Sequence, residues 1–203
     1  MKKAFSTLLL ASLLTTTLTA CSIGNRVGEH GADVDNFAGN IHVNNNNNAG
    51  TLNTTNGNIT IGQYAITKAV EVTNGNINID EYSQASSLQS TNGNVATGTN
   101  VKISGHVQTT NGSITIDKAS QVGKDVVTST GDIFIAQGSV INGDIIFEEL
   151  GYFLSSFEQD MPKLTVKKNV KIVGDIHLYR PVELIIDSSI SANKIIRHYE
   201  LSD

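Results

Sequence analysis

The sequence predicts an all-β fold, a single-stranded parallel β-helix with coils of about 18–20 residues. Three observations predict it: a nine-residue motif recurs, glycines return at a nearly constant interval, and β-branched residues alternate after each glycine. The motif reads TTNGNITIG at 54–62, VTNGNINID at 72–80, STNGNVATG at 90–98 and TTNGSITID at 109–117.

The interval between glycines sets the length of one coil. Successive members are 18 or 19 residues apart, at Gly39, Gly57, Gly75, Gly93, Gly112 and Gly131. Such a period is typical of solenoids, and the leucine framework of leucine-rich repeats is missing here. We expect right-handed winding, because left-handed hexapeptide helices share the period but have a different corner signature.

Three apolar columns predict short strands with one buried face. Two residues after each glycine stand Ile41, Ile59, Ile77, Val95, Ile114 and Ile133. Four residues after it stand Val43, Ile61, Ile79, Thr97, Ile116 and Ile135. Five residues before the later glycines stand Leu52, Val70, Leu88, Val107 and Val126. Stacking coils about 4.8 Å apart joins these columns into one core.

The Thr-Asn-Gly triplet of the motif predicts a corner between strands. Glycine accepts positive φ at little steric cost, and asparagine tolerates unusual dihedrals beside it. Stacked coils align the asparagines into a ladder that amide hydrogen bonds can join. The expected ladder consists of Asn56, Asn74, Asn92 and Asn111. We interpret these residues as structural, with ligand binding as the alternative.

A second corner and an insertion follow from later glycines. The segments VKISGHV, SQVGKDV, SVINGDI and VKIVGDI align on Gly105, Gly123, Gly143 and Gly174, at intervals of 18, 20 and 31 residues. Because the last interval exceeds one coil, we predict an insertion at 147–162 within a β-helix domain spanning 38–200. We expect the charged tail around Lys194 and Arg197 to cap the last strand.

The N-terminal segment MKKAFSTLLLASLLTTTLTAC predicts an export signal over residues 1–20. Its end resembles the bacterial lipobox, in which the cysteine is lipid-modified and becomes the first mature residue. The resemblance implies lipidation of Cys21, and residues 21–37 are then expected to form a polar tether. The alternative is an ordinary cleaved signal peptide with an unmodified thiol.

The residue after the cysteine predicts the destination. In lipoproteins of two-membrane bacteria, aspartate at this position implies inner-membrane retention, and Ser22 stands here instead. The resemblance therefore implies an envelope protein that is lipid-anchored in the outer membrane.

Charge and composition argue against nucleic-acid binding. Without residues 1–20 the chain has 12 basic and 19 acidic side chains, a net charge of −7. Tryptophan is absent, and Lys and Arg form no cluster in the sequence. Nucleic-acid binding needs a positive surface.

No catalytic motif is recognisable in the sequence. Serine and threonine residues lack a nucleophile elbow, and the five histidines have no metal-ligand spacing. We therefore predict that the protein is not an enzyme.

Acidic residues of the second corner form the one candidate metal site. The column contains His106, Asp125, Asp144 and Asp175. Carboxylates on neighbouring coils are about 5 Å apart, a geometry in which they repel each other or bind calcium. The alternative is a solvated corner in which aspartate suits the turn. No other cofactor is expected.

Aromatic residues of the insertion form a candidate interaction patch, at Tyr152, Phe153 and Phe157, with Met161 nearby. Their spacing suits one face of a helix. They either pack back on the solenoid or, if exposed, mark an interface with a partner.

Two families resemble the coils. The Gly-Asp-Ile coils at 139–145 and 170–176 resemble those of bactofilins, which are bacterial polymer-forming β-helical proteins. The Thr-Asn-Gly-Asn-Ile coils resemble those of adhesin-like bacterial surface β-helices. The bactofilin resemblance implies end-to-end filaments, whereas the adhesin-like resemblance implies a surface interaction module.

These features predict a non-enzymatic envelope lipoprotein that serves as a rigid spacer or adhesion module for an envelope or surface partner. The alternatives are a self-assembling bactofilin-like filament subunit and a carbohydrate-active β-helix enzyme. Since the charged tail is expected to cap the helix, we predict a mainly monomeric domain.

Overall fold

The structure, a computed structural model, describes residues 24–149 and 161–199. In these ranges the chain forms parallel sheets that build the expected all-β solenoid, with about 8 turns and about 19 residues per coil. No helix within the described ranges is long and apolar enough to cross a membrane. Cys21 and the patch residues Tyr152, Phe153 and Phe157 lie outside them.

The coils stack into three sheets. Sheet 1 contains β1 (Arg26–Gly28), β3 (Ile41–Val43), β5 (Ile59–Ile61), β7 (Ile77–Ile79), β10 (Val95–Thr97), β13 (Ile114–Ile116), β16 (Ile133–Ile135), β19 (Lys163–Val166) and β22 (Glu183–Ile186). Sheet 2 contains β2 (Val34–Ala38), β4 (Leu52–Asn56), β6 (Ala69–Asn74), β9 (Ser87–Asn92), β12 (Val107–Asn111), β15 (Val126–Thr128), β18 (Ile145–Phe147), β21 (Ile176–Leu178) and β23 (Ile195–Arg197). Sheet 3 contains β8 (Gln84–Ala85), β11 (Lys102–Ile103), β14 (Gln121–Val122), β17 (Val140–Ile141) and β20 (Lys171–Ile172).

Each complete coil runs from sheet 1 to sheet 3, then to sheet 2, and returns to sheet 1 through the glycine corner. In the early coils the position of sheet 3 is held by single bridges of Ile66 to Asn48 and to Gln84. A short 3-10 helix, Ala192–Lys194, precedes the last strand.

The predicted columns form one continuous core. Strand registers join Ile41 to Ile59 and Leu52 to Val70, and side chains in these columns are fully buried. The buried cluster extends along the axis as far as Val182. Burial of β-branched side chains from every coil therefore stabilises the whole length of the solenoid.

Buried hydroxyl groups interrupt the apolar core beside the glycine corner. Thr54 donates to the carbonyl oxygen of Gly39 at 3.2 Å, and Thr109 donates to that of Gly93 at 2.7 Å. A buried hydroxyl is costly only without a partner, and here a glycine carbonyl of the preceding coil accepts it.

The glycines of the corner are required mainly by close packing between coils. A Cβ on Gly75 would overlap the carbonyl oxygen of Gly57, and a Cβ on Gly112 would overlap that of Gly93. The expected positive φ occurs at Gly57 and Gly75, with values of 155° and 153°. This overlap of a Cβ with the carbonyl oxygen one coil earlier is common to the glycine column. It therefore explains why glycine recurs every 18 or 19 residues better than the dihedral angle does.

The predicted tether is wrong for the described part of residues 21–37. β1 pairs in parallel with β3, and β2 pairs with β4, so this segment forms the first coil. The polar, glycine-rich composition of this segment does not show the strand pattern, because Gly28 occupies a core position. A Cβ on Gly28 would come within 3.0 Å of Val43 Cγ2.

The insertion begins later than predicted. Phe147, placed at the start of the insertion 147–162, is the last residue of β18 and is fully buried. The chain rejoins sheet 1 at Lys163, in β19. The additional residues of the long interval thus lie between β18 of sheet 2 and β19 of sheet 1, where other coils have a glycine corner.

The last described residues cover part of the C-terminal end of the solenoid. Ile190 and Tyr199 pack against the core. The Lys194 ammonium donates to the carbonyl oxygens of Val173 and Gly174, at 2.9 and 2.7 Å. These contacts cover the corner after β20, whereas β22 and β23 are the edge strands of their sheets in the described residues. Capping of the whole end stays a prediction.

Candidate functional site

The predicted asparagine ladder is confirmed. Each side-chain amide donates to the side-chain oxygen of the asparagine one coil earlier: Asn74 to Asn56 at 2.9 Å, Asn92 to Asn74 at 2.9 Å and Asn111 to Asn92 at 2.8 Å. These mutual bonds run along the axis, and they support the structural interpretation of the motif.

A second polar column lies next to this ladder and was not anticipated. The side-chain oxygen of Asn58 accepts the backbone N–H of Asn76 at 2.8 Å, and Asn76 does the same for Asn94. The column starts at Asn25, whose side-chain oxygen accepts the N–H of Asn40 at 3.1 Å, and Asp132 continues it to the N–H of Lys163 at 2.8 Å. The second asparagine of Asn-Gly-Asn was the available signal in the sequence.

The acidic column is aligned as predicted. Registers at the adjoining strands place His106, Asp125, Asp144 and Asp175 on consecutive coils. Asp125 Oδ1 accepts the backbone N–H of Asp144 at 2.9 Å, and Asp144 Oδ1 accepts that of Asp175 at 2.8 Å. One oxygen of each of these two carboxylates therefore stabilises the next turn.

The remaining contacts of this column are to cations or histidine. His177 Nε2 is 3.8 Å from Asp144 Oδ2, and Lys194 Nζ is 3.9 Å from Asp175 Oδ1. In the part of the chain that the structure describes, no group of three or more His, Cys, Asp or Glu is arranged to hold a metal ion.

Calcium binding by the acidic column stays a prediction, and these contacts favour the solvated corner. A bound ion would raise the melting temperature by mass action on the folded state. Thermal unfolding with and without millimolar calcium checks it, and Asp125→Asn is the variant that should abolish any rise.

Two stacked tyrosines form an exposed feature that sequence reasoning missed. The rings of Tyr64 and Tyr82 have centroids 5.0 Å apart and an interplanar angle of 4°. Both residues have positive φ, at 57° and 61°, a conformation that bulky side chains rarely adopt. Asn46 occupies the same corner one coil before Tyr64, and Asn100 occupies it one coil after Tyr82. The signal was the 18-residue spacing of the two tyrosines.

A buried arginine lies after β21, at the corner between sheet 2 and sheet 1. Arg180 is 9% exposed, and its Nη1 donates to the carbonyl oxygen of Ser129 at 2.9 Å. Burial lowers the pKa of the Arg180 guanidinium. Ser129 Oγ donates to Glu148 Oε2 at 2.7 Å, so these contacts tie three successive coils together at this point.

The C-terminal coils bring together two histidines and a tyrosine. His177 Nδ1 and His198 Nε2 are 3.0 Å apart, and the His198 ring stacks on Tyr179 with centroids 4.1 Å apart. Since His198 follows the last strand, this stack fixes the tail to β21.

Comparisons with protein-family models, with curated proteins and with solved structures found no match for this chain. The functional argument therefore depends on the chain's own residues.

Proposed function

We propose that the protein is a non-enzymatic lipoprotein of the bacterial envelope that holds an interaction surface away from the membrane. The observation that carries this proposal is the continuous core, which makes one stiff rod of all the described coils. Nine parallel strands in a sheet correspond to a length of about 38 Å at the usual strand spacing.

The polar repeats support a scaffold in place of a catalyst. Both asparagine columns use their side chains to join neighbouring coils. The aspartates of the second corner cap backbone N–H groups in the same way. The most repetitive polar residues thus stabilise the rod.

Cys21 provides the proposed anchor. The N-terminal segment has the basic pair, apolar stretch and small residues that precede a lipidated cysteine. Acyl chains on this residue would bind the protein to the bilayer. Ser22 supports transport to the outer membrane.

The experiment is metabolic labelling with radioactive palmitate, followed by membrane fractionation. The full chain should incorporate label and sediment with the outer membrane after a salt wash. Cys21→Ala should lose both properties. The control variant Thr19→Ser, which keeps Cys21, should retain them. Ser22→Asp should stay labelled and move to the inner membrane. A Cys21→Ala variant that remains in the washed membranes would contradict the lipoprotein proposal.

A further inference from the structure

A groove of about 550 Å³ lies on the outer side of sheet 1, over its last four strands. Phe134 and Ile185 are among its apolar lining residues. The strand registers pair Phe134 with Thr165 and Thr165 with Ile185, so the two apolar residues lie two strands apart on the same line. At the usual strand spacing they are separated by about 10 Å along the axis. Ile185 is 46% exposed, although it is a large apolar residue.

Three lysines border this groove where the chain turns away from sheet 1. Lys118 follows β13, and Lys167 and Lys168 follow β19. Lys167 Nζ lies 5.7 Å from the centre of the Phe134 ring, as in a cation–π contact. Within residues 24–149 and 161–199, none of these three lysines forms an ion pair with a carboxylate oxygen at 4.0 Å or less.

The two carboxylates of the groove are held by their own turns. Asp117 accepts the backbone N–H of Lys118 at 2.7 Å and the hydroxyl of Thr99 at 3.2 Å. Asp187 accepts the hydroxyl and the N–H of Ser189, at 2.7 and 3.0 Å. The side-chain bond from Ser189 contributes most to lowering the pKa of Asp187. The charge of Lys168 also contributes to lowering the pKa of Asp187. The groove therefore holds three lysines against two carboxylates that already accept hydrogen bonds.

The groove thus combines local positive charge with an apolar wall on a molecule of net charge −5. A small inorganic anion would use the lysines and leave Phe134 and Ile185 in contact with water. A neutral sugar would not need the lysines. A ligand with one anionic group and one alkyl chain satisfies both parts of the groove.

We propose that this groove binds a single-chain anionic amphiphile, a fatty-acid carboxylate. The alkyl chain lies along Phe134 and Ile185, and the carboxylate lies between the ammonium groups of Lys118 and Lys168. This site is independent of Cys21 and of the scaffold proposed above.

The test uses the full chain in a neutral glycoside detergent, with a photoactivatable laurate analogue as the probe. Cross-linked peptides should come from 117–137 and 166–187. Unlabelled laurate should compete, and dodecanol, which lacks the charge, should compete at least about fivefold less well. Raising the salt concentration should weaken labelling of the unaltered chain, because exposed charges are screened.

The decisive variants lie at exposed positions. Lys118→Gln with Lys168→Gln should reduce labelling about fivefold, and Ile185→Gln should reduce it by a similar factor. Lys118→Arg with Lys168→Arg, which keeps both positive charges, should be labelled as well as the unaltered chain. The matched control is Lys102→Gln with Lys171→Gln, which changes two exposed lysines on sheet 3.

Three results would each overturn the proposal. The first is equal loss of labelling in the sheet 3 control and the groove variant. The second is cross-linking that maps elsewhere or does not occur. The third is labelling that is insensitive to salt and to competitor charge. Melting temperatures of all variants establish that each one is folded.

Discussion

At the glycine corner, the residue before the Thr-Asn-Gly triplet, the asparagine and the glycine each have a separate physical task. The threonine or serine two residues before the exposed asparagine points inward and bonds a glycine carbonyl, as Thr54 and Thr109 do. The asparagine bonds along the axis. The glycine leaves space for the carbonyl oxygen of the coil below. Substitutions within one triplet should therefore differ greatly in cost.

Gly75→Ala should lower the free energy of unfolding by about 3 kcal/mol or more, through backbone strain and overlap with the Gly57 carbonyl. The matched control is Gly138→Ala, since Gly138 also has positive φ but open space around it. That control should cost about 1–2 kcal/mol. Urea unfolding measures both, and equal losses would show that the dihedral angle alone requires glycine.

Ile77→Asp should unfold the protein, because it places a charge in a fully buried column at a cost of several kcal/mol. Asn74→Ala should cost about 1 kcal/mol, since it removes exposed ladder bonds. Ile66→Asp serves as the control, because Ile66 is 46% exposed. Circular dichroism in urea ranks the three, and a ladder variant as unstable as Ile77→Asp would contradict the assignment of inward and outward positions.

At the scale of elements, the last strands of the solenoid need donors that no further coil supplies. In a lower coil the carbonyl of Gly105 accepts the N–H of Lys124 at 3.0 Å. The corresponding carbonyl of Gly174 accepts the Lys194 ammonium instead. The Lys194 ammonium thus takes the place of the backbone N–H that a further coil would supply. One carbonyl fewer is then open to pairing with another chain at this end.

Lys194→Met should lower the free energy of unfolding by about 1–2 kcal/mol, since two charge-assisted bonds are lost at a partly exposed site. Hydrogen exchange should rise first in β20 and β23. Lys171→Met is the control, because Lys171 is exposed on β20 and points away from the core. If both variants lose the same stability, the cap depends on packing of Ile190 and Tyr199 alone.

At the scale of the whole molecule, the described coils form a rod with one core. Stability in such a solenoid is the sum of contacts between neighbouring coils, so a break in one coil weakens only its neighbours directly. We predict that the cap formed by residues 190–199 closes one end of this rod. End-to-end growth would need that cap to be displaced.

We therefore expect the chain lacking residues 1–21 to be mainly monomeric. Analytical ultracentrifugation should show one species of the monomer mass, and electron microscopy should show no fibres. Long unbranched filaments would overturn the capping argument and favour the bactofilin-like alternative. Filaments only in Lys194→Met would support the cap as the element that prevents polymerisation.

The repeat in the sequence was sufficient to predict the solenoid, its columns and the ladder of Asn56, Asn74, Asn92 and Asn111. In a solenoid, residues one period apart in the chain become neighbours in space, so a local pattern already states the long-range contacts. The prediction failed where the pattern is weak. In the first coil Gly28 occupies a core position, so the sequence predicts a tether where the structure has strands.

Only the tertiary structure decided which outward residues of different coils meet and which groups Lys194 bonds. Phe134, Ile185 and Lys118 belong to different coils, and the groove exists because stacking brings them to one surface. Lys194 bonds carbonyl groups of the coil below because the 3-10 helix Ala192–Lys194 lies directly before β23. The outward positions of the groove are free of the packing constraint that fixes inward ones. Lys118, Phe134 and Ile185 therefore show no period in the sequence, and their partners are set by the three-dimensional path of the chain.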